Sequence, residues 1–509
     1  MKKIFRLSAV LTLLVLVSAC EGDILNNSGV AGVSQPTTSL TSAQTEAASL
    51  TNPGIPAAFV NGIYGQMIQT GTGGTGGHDD FGHKSYHVFS DMMCGDMALS
   101  VSTYGWYRVS IAELGAMQDF TFGDNRQVWR YYYRIIRSAN NVIQSLGGND
   151  FEPALSDNKA SMAQALTLRA HAYFYLTQFY QRKYVANEAI LPLYTEPIGQ
   201  NLPKSTAQEV YDRMIADLRL AIKLFGDAAG WTRSAPNQVN TYISHQILAM
   251  VLGAQDRVGN ATEIASLTQA VINGPFSILP MTELYNGFND INRTANANSW
   301  MWGIDITENN NLGLVSWWGQ VDMFSYSYAW AGDYKAIDET LYNSMDATDA
   351  RRGQFRNNPA SGRHLQPEFK FWASNVIGGT SFTVTADYVY MRVEEAYLLN
   401  AEANATAGND AAARTSLKAL VSQRVANPNY IDALSGQALI DEIYKQTRLE
   451  LWGEGKSFFA LKRLGKTMVR GNNHLSLVGV PVAYDDERLQ FEIPQDEIQN
   501  NPFVNDQNQ

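Results

Sequence analysis

WRYYYRIIRSANNVIQSL, residues 129–146, decides the fold. Trp129, Tyr132, Tyr133, Ile136, Ala139, Ile143 and Leu146 recur at spacings of three and four, which predicts an amphipathic helix with one apolar face. Gly147-Gly148 ends it. Downstream, Met162, Leu166, Ala170, Tyr173, Leu176 and Tyr180 form the apolar face of a second helix, with Ala165, Ala170 and Ala172 leaving room for a close neighbour. The two predict a helical hairpin. Ser205-Thr206-Ala207-Gln208 has the pattern of a capping box ahead of Val210, Met214, Leu218, Ala221 and Phe225. Residues 241–255 and 261–273 make another pair, broken at Gly259-Asn260, and 388–407 with 411–426 a further one, before one long helix over about 439–464. Serial helical pairs of this kind, without a strict period, predict a tetratricopeptide-like array.

The helical scaffold is expected over 125–273 and 386–466. Residues 274–385 differ, being rich in Asn, Gly and Ser and holding Trp300, Trp302, Trp317, Trp318, Trp330 and Trp372. Residues 70–110 are a second irregular stretch, with the run Gly71-Thr72-Gly73-Gly74-Thr75-Gly76-Gly77. Loops on a rigid frame are where binding usually resides, so both are expected to face a ligand. The fold class is therefore mostly α, a tetratricopeptide-like helical scaffold with an irregular, loop-rich aromatic face and short strands. No boundary divides the body, 48–509, into separate domains.

Composition excludes some functions. With 49 acidic against 38 basic residues the net charge is -11, the wrong sign for neutralising phosphates, so nucleic acid is not an expected partner. The glycine run lacks the Lys-Ser/Thr of a phosphate-binding loop and reads as a plain loop. His78, His83 and His87 with Asp79, Asp80 and Asp91 carry metal-ligating groups, but without a paired-Cys or HExxH motif they read as a solvated polar loop, and no metal is expected. The acidic pairs Glu394-Glu395 and Asp485-Asp486 are adjacent in sequence and do not form the separated carboxylates of a glycosidase. No G-x-S-x-G elbow is present. No catalytic residue and no cofactor is legible, and the protein is read as a non-enzyme. Cys94, among Met92, Met93 and Met97, reads as a small buried hydrophobe.

The N-terminus carries Lys2, Lys3 and Arg6, then an apolar run from Leu7 to Val17, then Ser18-Ala19-Cys20. That is the three-part pattern of a secretory signal over 1–19. Its end resembles the lipobox of bacterial lipoproteins, which makes Cys20 the lipidated residue. Glu21 and Asp23 resemble the surface-export signal of Bacteroidota lipoproteins, so the body is expected outside the cell, anchored in the outer membrane. Residues 20–47 are expected as a polar tether.

The chain as a whole resembles the SusD/RagB family of outer-membrane lipoproteins. The resemblance rests on Phe89 to Asp96, Trp129 to Leu146, Arg169 to Leu176 and Tyr390 to Ala403. Most specific is RLELWGEGKSFFALKR, Arg448 to Arg463, with Phe491-Glu492-Ile493-Pro494 near the end. Lys456 stands where the family more often has Arg, and Ala460 where it more often has Asp. Arg392, Glu395, Glu402, Arg424, Arg448 and Glu450 read as buried framework charges, because polar groups in a helical array must find partners.

The resemblance implies a protein that binds a nutrient, a glycan or alternatively a peptide, and delivers it to a SusC-like TonB-dependent outer-membrane transporter. A surface hydrolase and an assembly or adhesion protein are the rival functions. Ligand contacts are implied in the two irregular regions, and within them Trp106, Tyr107, Trp317, Trp318, Tyr326, Tyr328 and Trp330 are the expected stacking faces, with Gln320 and Asp322 as hydroxyl partners. Tyr and Trp offer a flat apolar ring with a polar handle.

Overall fold

A computed structural model describes residues 41–372 and 383–508. The signal segment, Cys20 and most of the expected tether lie outside the described residues. The described residues from Glu46 onward form one compact unit, which holds every element discussed below except the start of the helix Ser42–Thr51. That helix takes over the end of the stretch expected as tether. Thr41 and Gln44 explain it: the Gln44 N–H donates to Thr41 Oγ1 and the Thr41 N–H to Gln44 Oε1, a reciprocal cap.

The hairpin forms as expected, from Gly123–Ser145 and Ser156–Tyr180, and Gly147 and Gly148, both at positive φ, end its first helix. Each helix then packs on the next: Ser156–Tyr180 on Ala207–Asp227, that on Thr241–Asp256, and that on Ala261–Ile272. Ala261–Ile272 packs directly on Val393–Thr406, so the array continues across about 120 intervening residues, 274–392, as if they were an insertion. Asp410–Val421 and Gly436–Glu450 complete it around a second, smaller core that includes Leu398, Leu417, Leu439 and Ile443. The scaffold is therefore a series of packed helices, most burying their apolar faces on neighbours in sequence and Ala261–Ile272 doing so on Val393–Thr406 across the insertion.

Three local expectations are corrected. The capping box sits one residue later, between Thr206 and Glu209, whose carboxylate accepts from the Thr206 N–H at 2.8 Å. Residues 388–392 are a strand, not the start of a helix. Tyr388–Arg392 pairs antiparallel with Trp300–Ile304, because its aromatic and branched side chains fit a pleated surface better than a helix. The long helix expected over 439–464 breaks into Gly436–Glu450 and Ser457–Arg463. Gly453 and Gly455 take positive φ there, and a Cβ on Gly455 would lie 2.5 Å from the His87 backbone.

Arg392, Glu395, Glu402, Arg424 and Glu450 are buried, as expected, while Arg448 is partly exposed beside Asp96, and ion pairs of this set bolt the insertion onto the array. Glu450 accepts from Arg424 at 2.7 Å, from Arg392 at 3.1 Å and from Arg351 at 3.4 Å, while Glu454 accepts from Arg392 at 2.8 Å and pairs with Lys370 at 3.0 Å. Burial alone would raise the Glu450 carboxyl, but Arg424 and Arg392 beside it hold it well below the usual range. Lys456, in place of the commoner Arg, pairs with Glu395 at 3.5 Å.

Candidate ligand-binding site

The strand Met97–Leu99 pairs antiparallel with Lys335–Ile337, in the register Met97↔Ile337 and Leu99↔Lys335. The ladder runs on past the strands: Ser100 N–H donates to Tyr334 O at 2.9 Å, Tyr334 N–H to Val101 O at 3.0 Å, and Thr103 N–H to Gly332 O at 3.2 Å. Two loops more than 200 residues apart in sequence are thereby laid side by side at the surface.

Asp333 fixes their geometry. Its Oδ1 accepts from the Thr103 and Tyr104 N–H groups at 2.6 and 2.8 Å, and its Oδ2 from the Trp106 N–H at 3.3 Å. One buried carboxylate so satisfies three loop donors that would otherwise need water. Gly332 lets the strands close, since a Cβ there would fall 2.4 Å from Thr103 Oγ1. On the other loop, Ser327 Oγ accepts from the Trp330 N–H at 2.9 Å and caps the single turn Tyr328–Ala331.

These loops display a continuous set of rings. The Tyr104 and Trp106 rings lie 5.2 and 5.6 Å from Tyr328, and His78 stacks on Trp106 at 5.3 Å with planes 8° apart. Tyr328 Oη and His78 Nδ1 are hydrogen-bonded at 2.7 Å. Trp330, 39% exposed, carries the Arg363 guanidinium over its ring at 5.9 Å, and the same guanidinium lies 5.6 Å over Tyr334. Tyr104 and Tyr326 are exposed as well. A cavity of about 320 Å3 opens beside Trp106, between it and the start of the helix Gly123–Ser145. In its wall, burial and the neighbouring Asp124 push the Asp79 carboxyl up to about 8.

Of the expected ligand residues, the structure exposes Tyr326 and Trp330, leaves Trp106 half-buried, and buries the rest, Tyr328 among them. Trp317 and Trp318 are 1% and 2% exposed, with Trp317 packed on Phe371 at 4.5 Å, because residues 317–321 form a short helix whose rings plug the core beneath the loops. Tyr107 is buried too, one residue past the half-buried Trp106, in the left-handed region at φ +63° that turns its ring inward. Gln320 and Asp322 brace the site instead of touching solvent. Gln320 Nε2 donates to His78 O at 2.9 Å, and the Asp322 carboxylate accepts from the Phe324 and Ser325 N–H groups, each at 3.0 Å. Burial pushes the Asp322 carboxyl up to about 6 against the pull of those hydrogen bonds.

Tyr104, His78 and Arg363 join the site without having been expected there. Tyr104 stands two residues from Trp106 in Tyr104-Gly105-Trp106, a legible signal; Arg363 reaches the rings from a distant loop and gives none. The histidines read as a solvated polar loop separate in the fold. His83 and His87 lie on the fully buried helix His83–Met93, their Nε2 atoms 3.2 Å apart among Tyr132, Tyr175 and His171. Burial holds both well below the usual histidine range, and His171 at about 3. Among the described residues no group of three His, Cys, Asp or Glu side chains is placed to hold a metal ion. Cys94 is a buried free thiol.

The family model described as "Starch-binding associating with outer membrane" matches residues 78–244, and the SusD family model matches residues 320–509. No curated protein matches the chain. Solved structures do. A SusD superfamily protein from Bacteroides vulgatus superposes with a TM-score of 0.73 at 21% identity, over 90% of this chain and 98% of that one. One from Bacteroides thetaiotaomicron gives 0.71 at 22% identity, over 90% and 99%. Surface glycan-binding protein A from Bacteroides fluxus gives 0.65 at 16% identity, over 89% and 98%. The first model covers the loop of Tyr104 and Trp106 and the second that of Tyr328 and Trp330, and the helical fold is that of these structures. The chain belongs to the SusD/RagB family.

Proposed function

We propose that the protein binds a glycan on a platform of Tyr104, Trp106 and Trp330, with the buried Tyr328 packed behind it, and delivers it to a TonB-dependent outer-membrane transporter, while Cys20 anchors it by lipid at the cell exterior. The observation that carries this is the exposure of Tyr104 and Trp330 on a braced frame. A monomer gains nothing by holding Tyr104 and Trp330 in water unless their faces are used, and Asp333 and Ser327 fix the loops that carry them. A sugar ring lays its C–H face on such a ring, and Arg363 and His78 lie within reach of its hydroxyls. Family membership supports the transporter and the anchor. Among the described residues no helix is long and apolar enough to cross a membrane.

The test is binding of the purified protein to a panel of polysaccharides and peptides, with Trp106→Ala and Trp330→Ala beside the parent. Selective glycan binding lost in both variants supports the proposal; undiminished binding in both removes the platform from it. Affinity isolation from outer membrane in mild detergent should recover the transporter, and Cys20→Ala should release the protein from the membrane fraction.

One observation favours a hydrolase. Asp79 and Asp124 form a buried pair beside the cavity at Trp106, and a carboxyl raised to about 8 is one able to donate a proton. Against it stand Asp322 and Asp333 of the same loops, whose oxygens are taken by backbone donors. Product release from a glycan, abolished by Asp79→Asn, would establish the hydrolase.

A further inference from the structure

The helix Gly123–Ser145 carries Arg126, Arg130, Arg134 and Arg137 on one face. Spacings of four, four and three align them into a stripe about 16 Å long, with successive guanidinium stems about 6 Å apart. In a chain of net charge -11 this is a local inversion of sign. The stripe lines a groove of about 510 Å3 whose other wall is the loop 194–201 and the segment 494–500. A groove of that volume suits a small or oligomeric ligand, where a flat face would suit a protein.

The side chains of the groove divide by whether they are already engaged. Arg126 pairs with Asp496 at 3.5 Å at the surface, Arg134 Nη1 donates to Thr72 O at 2.8 Å, and Glu497 accepts from Trp129 Nε1 at 3.2 Å and Asn501 Nδ2 at 2.7 Å. Arg130 and Arg137 are exposed and have no carboxylate partner among the described residues, and Arg126 Nε is buried without an acceptor. Arg130 rests on the glycine-rich loop, where a Cβ on Gly74 would come within 2.8 Å of its side chain, so the glycine there leaves the guanidinium room. Two carboxylates of the lining, Glu497 and the exposed Glu196, have no ion-pair partner among the described residues. Tyr133 and Tyr194, rings 5.7 Å apart, add half-buried aromatic surface between the guanidiniums. The floor is rigid. Asn140 donates to Tyr194 O at 3.0 Å and accepts from Arg169, which is itself locked to Asp217 by two bonds of 2.7 and 2.8 Å.

We propose that this groove is a second binding site and takes an oligosaccharide bearing carboxylate groups, a uronic-acid glycan. Free guanidiniums at helical spacing meet the carboxylates, and the tyrosine rings and neighbouring amides meet the sugar rings and hydroxyls. The proposal rests on the reading of the protein as a glycan binder, and its test separates the two.

Titration calorimetry of the purified full chain with oligogalacturonate and with alginate oligomers, beside a neutral glucan of matched length, is the experiment. Binding of at least one uronate is expected, weakening at least fivefold between 50 and 300 mM salt. Arg130→Ala/Arg137→Ala should lose at least tenfold in affinity and Arg130→Glu/Arg137→Glu more, with melting unchanged, while Trp330→Ala retains the uronate site within twofold. Failure of both uronates to bind overturns the proposal and leaves the platform untouched. Uronate binding that ignores the arginine changes but vanishes in Trp330→Ala also overturns it, and supports the platform. If vesicles of phosphatidylglycerol bind with the same arginine dependence and the uronates do not, the groove is a membrane contact and the proposal fails.

Discussion

Two sets of tryptophans lie close in sequence and have opposite fates. Trp317 and Trp318 are buried on a five-residue helix against Phe371, whereas Trp330, thirteen positions after Trp317, stands in solvent over a loop capped by Ser327. Residue type is the same; the difference is the backbone. Where the chain makes a short helix on top of the insertion's core, large rings serve as filling. Where it runs along an edge ladder pinned by Asp333, they become a surface. An exposed ring in this protein is therefore a statement about loop anchoring, and the same anchoring gives the site its shape before any ligand arrives.

The largest effect expected from breaking this contrast is on stability. Trp317→Ala removes a filled ring and leaves a cavity, which should lower unfolding free energy by about 3–5 kcal/mol, read from the denaturation midpoint. A loss near zero would mean that the short helix is not part of the core. Asp333→Ala should cross the two columns. It strands three loop N–H groups, costs about 2 kcal/mol of stability and weakens glycan binding, although Asp333 is buried behind the rings. Unchanged binding would show that the loops hold their shape without it. Trp330→Ala and Trp106→Ala should weaken glycan binding by about 1–3 kcal/mol with melting nearly unchanged, measured by calorimetry against the parent. Equal loss of stability would return them to the core set.

The smallest effect concerns pH. His171 is neutral in the fold, held at about 3, and protonates in the unfolded chain near 6.5. Below 6.5 the unfolded state binds the extra proton, so its contribution to stability falls as pH falls. Buried carboxyls such as Asp387, raised to about 7, pull the opposite way, so the group must be isolated by difference. The stability advantage of the parent over His171→Phe should shrink by about 1.4 kcal/mol between pH 7.5 and 5.5. A difference constant across that range would mean that His171 reaches water.

Much of this was legible beforehand. The spacing of Trp129 to Leu146 and of Met162 to Tyr180 gave two real helices, because a 3.6-residue period in apolar side chains is a local property that burial on any neighbour preserves. Glycine pairs marked real breaks for the same reason. The strand Tyr388–Arg392 was not legible, since its partner Trp300–Ile304 lies about 90 residues away. In the candidate site, the expected regions hold both exposed rings, such as Trp330, and buried ones, such as Trp317 and Trp318. Sequence marks where aromatic side chains are dense, but exposure depends on which loop edge faces out, and that is set by pairings such as Leu99↔Lys335.

By itself the sequence determined the helical array, the insertion as a distinct segment, the buried arginine–carboxylate framework and the absence of a nucleic-acid partner's charge, because periodicity, composition and net charge are properties of the chain. Only the tertiary structure decided which of its tryptophans meet water, that Gln320 and Asp322 are braces, that His83 and His87 are core, and that four arginines one helical face apart line a groove. Each of those depends on contacts between residues distant in the chain, and a ring or a carboxylate acquires its role from the partner that desolvates it or leaves it exposed.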